Sequence, residues 1–397
     1  MNFTKLKQYM DYLVSEGKVP GVDCIIYRNH EELFRYYTGK RDTEANKPMD
    51  GNELYLIFSM TKMLTCTGAL QLMEKGKFKL DDPISMYMPE FERMQVTKED
   101  FSTQAAARIA SGTSMGESHT ATNHGYAKTP ITVKHLFTMG AGFDYNLNAD
   151  YIAKAISEDR TTTRHLVGSL SNTVLGFEPG TRFRYSLCHD ILGALIEIWS
   201  EQSFGEYVKD NILEPVGMEN TFFGIDSHRA EDYAARYRFD EYGTPERLPL
   251  ECPFILSSDY ESGGAGLTSC TKDYALFLDA LACGGVAKNG NTILNPQTVA
   301  LMGTNHLKGK QCDDFDKMRP GYGYGLGVRT HINPEKSGSL SPVGEFGWDG
   351  AAGAFSMVDP KNRLSLTYFQ HVHNWPLKIQ TEMRNALYEE LVTNMSF

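Results

Sequence analysis

The sequence predicts an α/β sheet built from both ends of the chain and interrupted by a large, mainly helical middle portion. Apolar runs typical of strands lie near both termini, whereas residues 81–319 carry mainly helical and loop patterns. Helical spacing also appears at each end of the chain, beside those strands. With 397 residues, the chain is long enough to bury one large core or two medium-sized cores.

The N-terminal part supplies the first helix and the first two strands. Apolar residues at helical spacing over residues 2–16 predict a helix that ends at Gly17. Two strand-like runs follow, residues 22–27 and 33–37, with a polar turn between them. A polar loop over residues 38–53 then leads to a strongly apolar second helix.

The middle portion is predicted to be helical, with one long loop. Residues 102–130 are polar and rich in Ala, Ser, Thr and Gly, which indicates either a lid over a site or a merely mobile loop. Helical spacing recurs in five further runs, at residues 133–139, 152–155, 190–200, 204–213 and 273–282.

The C-terminal part returns to strands. Glycine alternates with larger residues over 322–328, which predicts a single strand. Further strands are predicted at residues 345–348, 354–358 and 364–369, followed by a helix at 377–392. We therefore predict an α/β sheet domain of residues 1–80 and 320–397, a mainly helical domain of residues 81–319, and a site in the cleft between them.

Composition limits the partners and the compartment. The formal net charge of −11 argues against nucleic acid or an anionic membrane as the main partner. The N-terminus has no apolar stretch long enough for a secretory signal, and no run has the length of a membrane-spanning helix, so a cytoplasmic location is expected. The seven scattered cysteines form no C-x-x-C pair, which indicates neither a disulfide framework nor a zinc site. No cofactor is expected.

Two histidines near the C-terminus, His371 and His373, are a weaker candidate for a metal site. They would share one face of a strand, but no third ligand lies nearby in the sequence. A solvated strand end is therefore the favoured interpretation.

The tetrad from Ser59 to Lys62 is the strongest candidate for chemistry. Positions i and i+3 of a helix share a face, so the lysine amine can reach the serine hydroxyl and act as its base. The surrounding apolar residues would bury the pair, and the helix dipole would favour negative charge at the serine. Ser-x-x-Lys also occurs at Ser15, in a polar turn, and at Ser269, at a predicted helix N-cap. The tetrad alone therefore leaves catalysis and helix capping open.

Acyl transfer from a serine also requires a proton shuttle and donors for the oxyanion. Tyr185 lies at a loop-to-helix junction and could pass protons beside a lysine ammonium, although it could equally be a packing tyrosine. The small residues of 347–353 would let a substrate approach the backbone, or they simply form a tight hairpin. Neither segment decides the question alone.

Together these segments resemble the serine β-lactamase and penicillin-binding protein superfamily, in particular its class C β-lactamase-like branch with the family VIII carboxylesterases. The resemblance covers nearly the whole chain and rests on the order of several segments: Val19-Pro20-Gly21, Phe58-Ser59-Met60-Thr61-Lys62, Leu80-Asp81-Asp82-Pro83, residues 131–142, Phe183-Arg184-Tyr185-Ser186 and Gly263-Gly264-Ala265-Gly266. It implies a β-lactamase/transpeptidase-like fold, with an antiparallel sheet flanked by helices.

The resemblance also implies roles for individual residues. Ser59 would be the acylated nucleophile, and Lys62 and Tyr185 would form the acid/base pair. The backbone N–H groups of Ser59 and Ala351 would form the oxyanion hole. The implied substrate-binding positions are Leu187, Trp348, Asp349 and Gly350.

Two departures from the β-lactamase pattern bear on the substrate. Leu187 replaces the asparagine of Tyr-x-Asn and cannot hydrogen-bond a substrate amide. Trp348-Asp349-Gly350 replaces Lys-Thr-Gly, so the cation that would hold a substrate carboxylate is missing. Esterases of this branch resemble this pattern with Trp-Gly-Gly, and Asp349 is unusual even among them. A preference for uncharged or amino-bearing substrates is expected.

The leading hypothesis is a serine hydrolase that forms an acyl-enzyme on Ser59 and cleaves small acyl esters or amides. Alternatives that use the same site are a β-lactamase, a D-amino-acid peptidase or amidase, and an acyltransferase. An alternative of another class is a non-catalytic sensor of the penicillin-binding type. The sequence does not define the oligomeric state.

Overall fold

The computed structural model describes residues 3–98, 124–240, 243–373 and 375–394. The α-helices in these ranges are α1 Thr4–Ser15, α2 Thr61–Glu74, α3 Val133–Phe137, α4 Asp150–Ser157, α5 Thr163–Ser169, α6 Cys188–Ser200, α7 Phe204–Val208, α8 Glu214–Val216, α9 Thr271–Ala282, α10 Pro296–Gly303, α11 Lys310–Met318, α12 Pro334–Ser337 and α13 Lys378–Asn394. None of these helices is both long enough and apolar enough to cross a membrane.

The strands in the same ranges are β1 Gly21–Arg28, β2 Glu31–Asp42, β3 Lys47–Pro48, β4 Tyr55–Leu56, β5 Gln95–Thr97, β6 His124–Tyr126, β7 Val174–Leu175, β8 Phe222–Phe223, β9 Arg236–Phe239, β10 Pro245–Leu248, β11 Leu267–Ser269, β12 Tyr322–Tyr324, β13 Arg329–His331, β14 Phe346–Gly347, β15 Phe355–Asp359, β16 Leu364–Phe369 and β17 Val372–His373. Eight of them form the main sheet, in the order β12-β13-β14-β15-β16-β1-β2-β3.

The main sheet joins the two ends of the chain. Strand β1 pairs antiparallel with β16, from Asp23 opposite Phe369 to Arg28 opposite Leu364, and the other neighbouring strands of this sheet are also antiparallel. The predicted antiparallel sheet built from both termini, flanked by helices, is confirmed.

Helices cover both faces of this sheet. Successive residues of a strand point to opposite faces. Cys24 and Ile26 accordingly belong to the core formed with α1 and α13, whereas Ile25 and Tyr27 pack against Ala275 of α9. Helix α9 thus lies on the sheet, although its residues belong to the predicted helical domain, and the proposed domain boundaries stay a prediction.

The larger core surrounds α2, which contacts α6. All residues from Thr61 to Leu72 are buried, Gln71 the most exposed of them at 8%. A helix buried all round requires an apolar sequence, which is what the run after Lys62 provides. Because α2 is packed on all sides, its first turn, which carries Lys62, is held in a fixed position.

Several local predictions need correction. The strand predicted over residues 322–328 ends early: β12 stops at Tyr324, Gly327 adopts φ +86° in the turn that follows, and β13 begins at Arg329. Of the loop predicted at residues 102–130, residues 102–123 lie outside the described residues, and β6 forms part of the remainder. The N-cap of α9 is Cys270 rather than Ser269, since the Cys270 side chain accepts the Asp273 N–H.

Candidate active site

The amine of Lys62 is the centre of the candidate site. It lies in the first turn of α2 and is fully buried. Its Nζ lies within hydrogen-bonding distance of Ser59 Oγ at 3.3 Å, Tyr145 Oη at 3.2 Å and the Gly264 carbonyl oxygen at 2.5 Å. All three partners are neutral oxygens, so the amine is positioned to exchange a proton with the serine hydroxyl.

Ser59 lies in a turn of 3₁₀ helix, Phe58–Met60, directly before α2. The preceding residue, Phe58, has φ +46°, in the left-handed region that non-glycine residues rarely adopt. Such a backbone conformation costs about 1–3 kcal/mol and persists only where packing enforces it. The buried Phe58 ring packs against Phe254 and His373, with centroids 6.1 and 5.4 Å away. Packing thus fixes the backbone that presents the hydroxyl.

Tyr185 lies beside the same amine. Lys62 Nζ is 4.8 Å from the centroid of its ring. The Tyr185 hydroxyl accepts a hydrogen bond of 3.2 Å from Trp348 Nε1. The rings of Tyr145, Tyr185 and Trp348 stack in series, with centroids 5.7 and 5.6 Å apart and interplanar angles of 19° and 23°. The three residues singled out from the sequence, together with Trp348, therefore meet at the start of α2.

Tyr145 was not among the residues predicted from the sequence. Nothing in its local pattern distinguishes it from the other 20 of the 21 tyrosines, and only the fold brings it to the amine. Burial, and next the charge of Asp190, raise the pKa of Tyr145 well above its usual range, so its hydroxyl is protonated at neutral pH. Asp190 is itself buried and accepts hydrogen bonds from Tyr260 Oη, Ser262 Oγ and the Gly264 N–H.

Gly264 can reach the amine because it has no side chain. A Cβ at this position would lie 2.5 Å from Asp190 Oδ2, 2.9 Å from Tyr145 Oη and 3.2 Å from Lys62 Nζ. A larger residue would therefore displace the groups that surround the amine. This contact explains the glycine at position 264 in the segment 263–266, which lacks the spacing of a phosphate-binding loop.

Ala351 lies at the exposed tip of a tight turn after β14. The Gly350 N–H closes the turn by donating to the Ala354 carbonyl at 2.7 Å. A Cβ on Gly350 would lie 2.7 Å from the Ile57 carbonyl, so the turn packs against the backbone just before Ser59. A tight hairpin at this place is therefore compatible with an oxyanion donor at the Ala351 N–H. The oxyanion hole itself stays a prediction.

Three of the predicted substrate-binding residues, Leu187, Trp348 and Asp349, have buried side chains. The Asp349 carboxylate accepts a hydrogen bond of 2.5 Å from Arg319 Nη2. Arg329 Nε lies 3.9 Å from the same carboxylate, and its Nη1 pairs with Glu345 at 2.7 Å. The Asp349 charge is thus neutralised by the half-buried Arg319 and the buried Arg329, which argues against a substrate contact through that carboxylate.

The expected solvated strand end is wrong for His371, which is buried, whereas His373 is half-buried. Strand β17 pairs with β9, and burial lowers the pKa of His371 to about 3 and that of His373 to about 4. His371 Nδ1 lies 2.7 Å from the Ala234 carbonyl, to which it donates. Both rings are therefore neutral at pH 7, and that of His371 lies in the core.

The two tyrosines at the amine predict different effects on the rate. If Tyr185 relays the proton to the leaving group, Tyr185→Phe should lower kcat for ester hydrolysis by about 10²- to 10⁴-fold. Tyr145→Phe removes one hydrogen bond to the amine and should cost about tenfold, with little change in KM. Steady-state kinetics of both variants on one ester measure the ranking. The reverse order would assign the relay to Tyr145.

Comparison with known proteins identifies relatives along the whole chain. The family model described as Beta-lactamase matches residues 5–388. Esterase EstB of Burkholderia gladioli is 26% identical over 385 residues, which cover 91% of this chain and 88% of EstB. Acyltransferase calJ of Penicillium decumbens is 27% identical over 403 residues, 88% of this chain and 87% of calJ. A solved structure of a family VIII carboxylesterase has a TM-score of 0.74 at 19% identity, covering 98% of this chain and 97% of that one, and shares the fold.

Proposed function

This chain belongs to the Beta-lactamase family, and from the geometry around Ser59 we propose that it is a serine hydrolase that cleaves small acyl esters, and amides as a second class. The family match, with an esterase and an acyltransferase among the relatives, supports hydrolysis or acyl transfer in general terms. One observation carries the finer proposal: a buried amine lies 3.3 Å, within hydrogen-bonding distance, from the hydroxyl oxygen of the serine three residues before it.

The reaction proceeds through an acyl-enzyme on Ser59. The hydroxyl oxygen attacks the acyl carbonyl while its proton passes to the Lys62 amine, and the oxyanion accepts hydrogen bonds from the Ser59 and Ala351 N–H groups. Collapse of the tetrahedral intermediate breaks the bond to the leaving alkoxide, which takes the proton by way of Lys62 and Tyr185. A water molecule then attacks the acyl carbonyl and gives a proton to Lys62. The bond to Ser59 breaks, the serine oxygen takes the proton back, and the carboxylic acid is released.

The surroundings of the serine favour neutral substrates. Trp348 stands where a carboxylate-binding cation would be needed, and its ring stacks on Tyr185. The neighbouring carboxylate, Asp349, is paired with Arg319 and does not supply a charge for an amino group. An uncharged acyl chain loses little hydration on entering such an aromatic site, whereas a carboxylate would lose much of its hydration without a partner.

Acyl transfer to an alcohol is a second candidate, because calJ, a relative of similar length, is named an acyltransferase. The acyl-enzyme would be the same, and an acceptor hydroxyl would take the place of water. A product that appears only when an acceptor alcohol is added, identified by mass spectrometry, would favour this reaction over hydrolysis.

A substrate panel combined with mass spectrometry of the intact protein tests the proposal. We expect turnover of p-nitrophenyl acetate and butyrate, much slower turnover of a chromogenic cephalosporin and of D-amino-acid amides, and a transient acyl adduct that peptide mapping places on Ser59. An adduct that forms but never turns over would support the sensor alternative and contradict the proposal. Absence of both adduct and turnover across the panel would also contradict it.

A further inference from the structure

The side chains of a histidine, an aspartate and a cysteine come together where the turn between β1 and β2 meets the end of α9. None of the three belongs to the candidate active site. His30 Nδ1 lies 2.8 Å from Asp279 Oδ2, and Cys283 Sγ lies 3.8 Å from Asp279 Oδ1. One ligand atom from each residue lies within 4.8 Å of the other two. Within the described ranges, this is the one group of at least three such residues that meets this criterion.

The three residues are held by rigid elements. His30 belongs to the two-residue turn between β1 and β2, where Asn29 and His30 have φ of +51° and +69°, as the tight hairpin turn requires. The His30 N–H donates to Asp279 Oδ1 at 3.1 Å, which leaves Oδ2 facing the ring nitrogen. Asp279 and Cys283 are four residues apart at the end of α9 and so lie on one face of the helix.

Charge and exposure at this place suit a cation. The Asp279 side chain is completely buried, whereas those of His30 and Cys283 are half-buried, so an ion could enter from solvent and reach the carboxylate. The C-terminal end of α9 carries the negative end of the helix dipole. Arg363 is the nearby positive group, and its guanidinium is hydrogen-bonded to Asn29 Oδ1 at 2.9 Å.

The separations also suit a tetrahedral ion. With bonds of about 2.0–2.3 Å to nitrogen, oxygen and sulfur, tetrahedral zinc places its ligand atoms about 3.4–3.5 Å apart. His30 Nδ1 and Asp279 Oδ2 would need to move apart by about 0.6 Å, and Cys283 Sγ, which lies 3.8 Å from the other carboxylate oxygen Oδ1, would move toward the ion from within 4.8 Å of the other ligand atoms. Such shifts need only small side-chain rotations, and water can complete the coordination.

We propose that His30, Asp279 and Cys283 form a binding site for Zn²⁺, separate from the serine site. On binding, the ion takes the Nδ1 position of the neutral His30 ring, whose proton then sits on Nε2, and displaces the thiol proton of Cys283, which is released to solvent. The ion joins the β1–β2 turn to the end of α9, and it therefore stabilises the sheet against unfolding. A plain His–Asp ion pair with a cysteine beside it is the alternative.

Metal binding to the full-length protein, stripped with a chelator and then dialysed against Zn²⁺, tests this site. We expect about one equivalent of Zn²⁺ per chain with a dissociation constant of about 1 μM or lower, and a higher Tm with the metal present. With Co²⁺ as the probe, we expect a thiolate-to-cobalt charge-transfer band. Cys283→Ser should abolish that band, and both Cys283→Ser and His30→Ala should weaken Zn²⁺ binding at least about tenfold.

Cys312→Ser is the matched control, because Cys312 is also a half-buried cysteine but belongs to no such group within the part of the chain that the structure describes. It should bind Zn²⁺ like the unsubstituted protein. Because the site lies outside the candidate active site, Cys283→Ser should retain full ester hydrolysis. The proposal is overturned if the protein binds no Zn²⁺ at about 100 μM, or if binding is the same in Cys283→Ser as in Cys312→Ser.

Discussion

Replacing Ser59 with alanine is expected to lower kcat/KM for p-nitrophenyl esters by about 10⁴- to 10⁶-fold. The substitution removes the oxygen that forms the acyl bond, while the amine of Lys62 and its contacts with Tyr145 and Gly264 stay in place. Only the reaction of water within the intact cleft would remain. Steady-state kinetics give the size of the loss, and mass spectrometry of the intact variant should detect no acyl adduct.

Ser15→Ala is the matched control for this experiment. Ser15 begins another Ser-x-x-Lys tetrad, but it is exposed and its hydroxyl bonds only to the Tyr12 carbonyl among the contacts described. We expect full activity in this variant. Ester hydrolysis near the original rate in Ser59→Ala would refute the assignment of the nucleophile, whatever the result of the control.

Lys62→Met is expected to produce the second-largest loss, about 10²- to 10⁴-fold in the rate of acylation. Methionine is similar in length and fills the buried space, but it cannot take the proton from Ser59 Oγ, which lies 3.3 Å from the amine. Rapid-mixing measurement of the p-nitrophenol burst isolates acylation from later steps. The effect should therefore appear in the burst rate rather than in substrate binding.

Stability measurements separate loss of chemistry from loss of fold in this variant. The amine is fully buried and its hydrogen-bond partners are neutral, so an apolar replacement should leave the Tm unchanged or raise it. Lys18→Met, in the exposed tetrad near the N-terminus, should change neither rate nor Tm. An unaltered burst rate in a folded Lys62→Met protein would show that another group is the base.

Much of the fold could be predicted because local patterns matched the final environment. The strand at residues 364–369 and the helix at 377–392 were predicted to within two residues of β16 and α13, since their apolar spacing reflects the faces they bury. The strand predicted over 322–328 was wrong after Tyr324, where the chain leaves the strand and Gly327 adopts a positive φ. Alternation of glycine with larger residues does not reveal whether a glycine extends a strand or ends it.

The sequence by itself determined that Ser59 and Lys62 lie close together, because residues three positions apart in a helical turn share one face. It also determined that both ends build one sheet, since their strand patterns flank a mainly helical middle. Only the tertiary structure decided which tyrosine bonds the amine, and it did so by bringing Tyr145 and Gly264 to it from 83 and 202 positions away.

The tertiary structure also decided which charged side chains pair with each other. The resemblance to the family implies that Asp349 contacts the substrate, yet in the structure this residue is paired with Arg319, 30 positions earlier. His30 and Asp279 are separated by 249 positions, so no short spacing motif could indicate that they meet. Local patterns encode helices and strands because those depend on neighbouring residues. Contacts between distant side chains depend on how the elements pack, and only the folded chain specifies that packing.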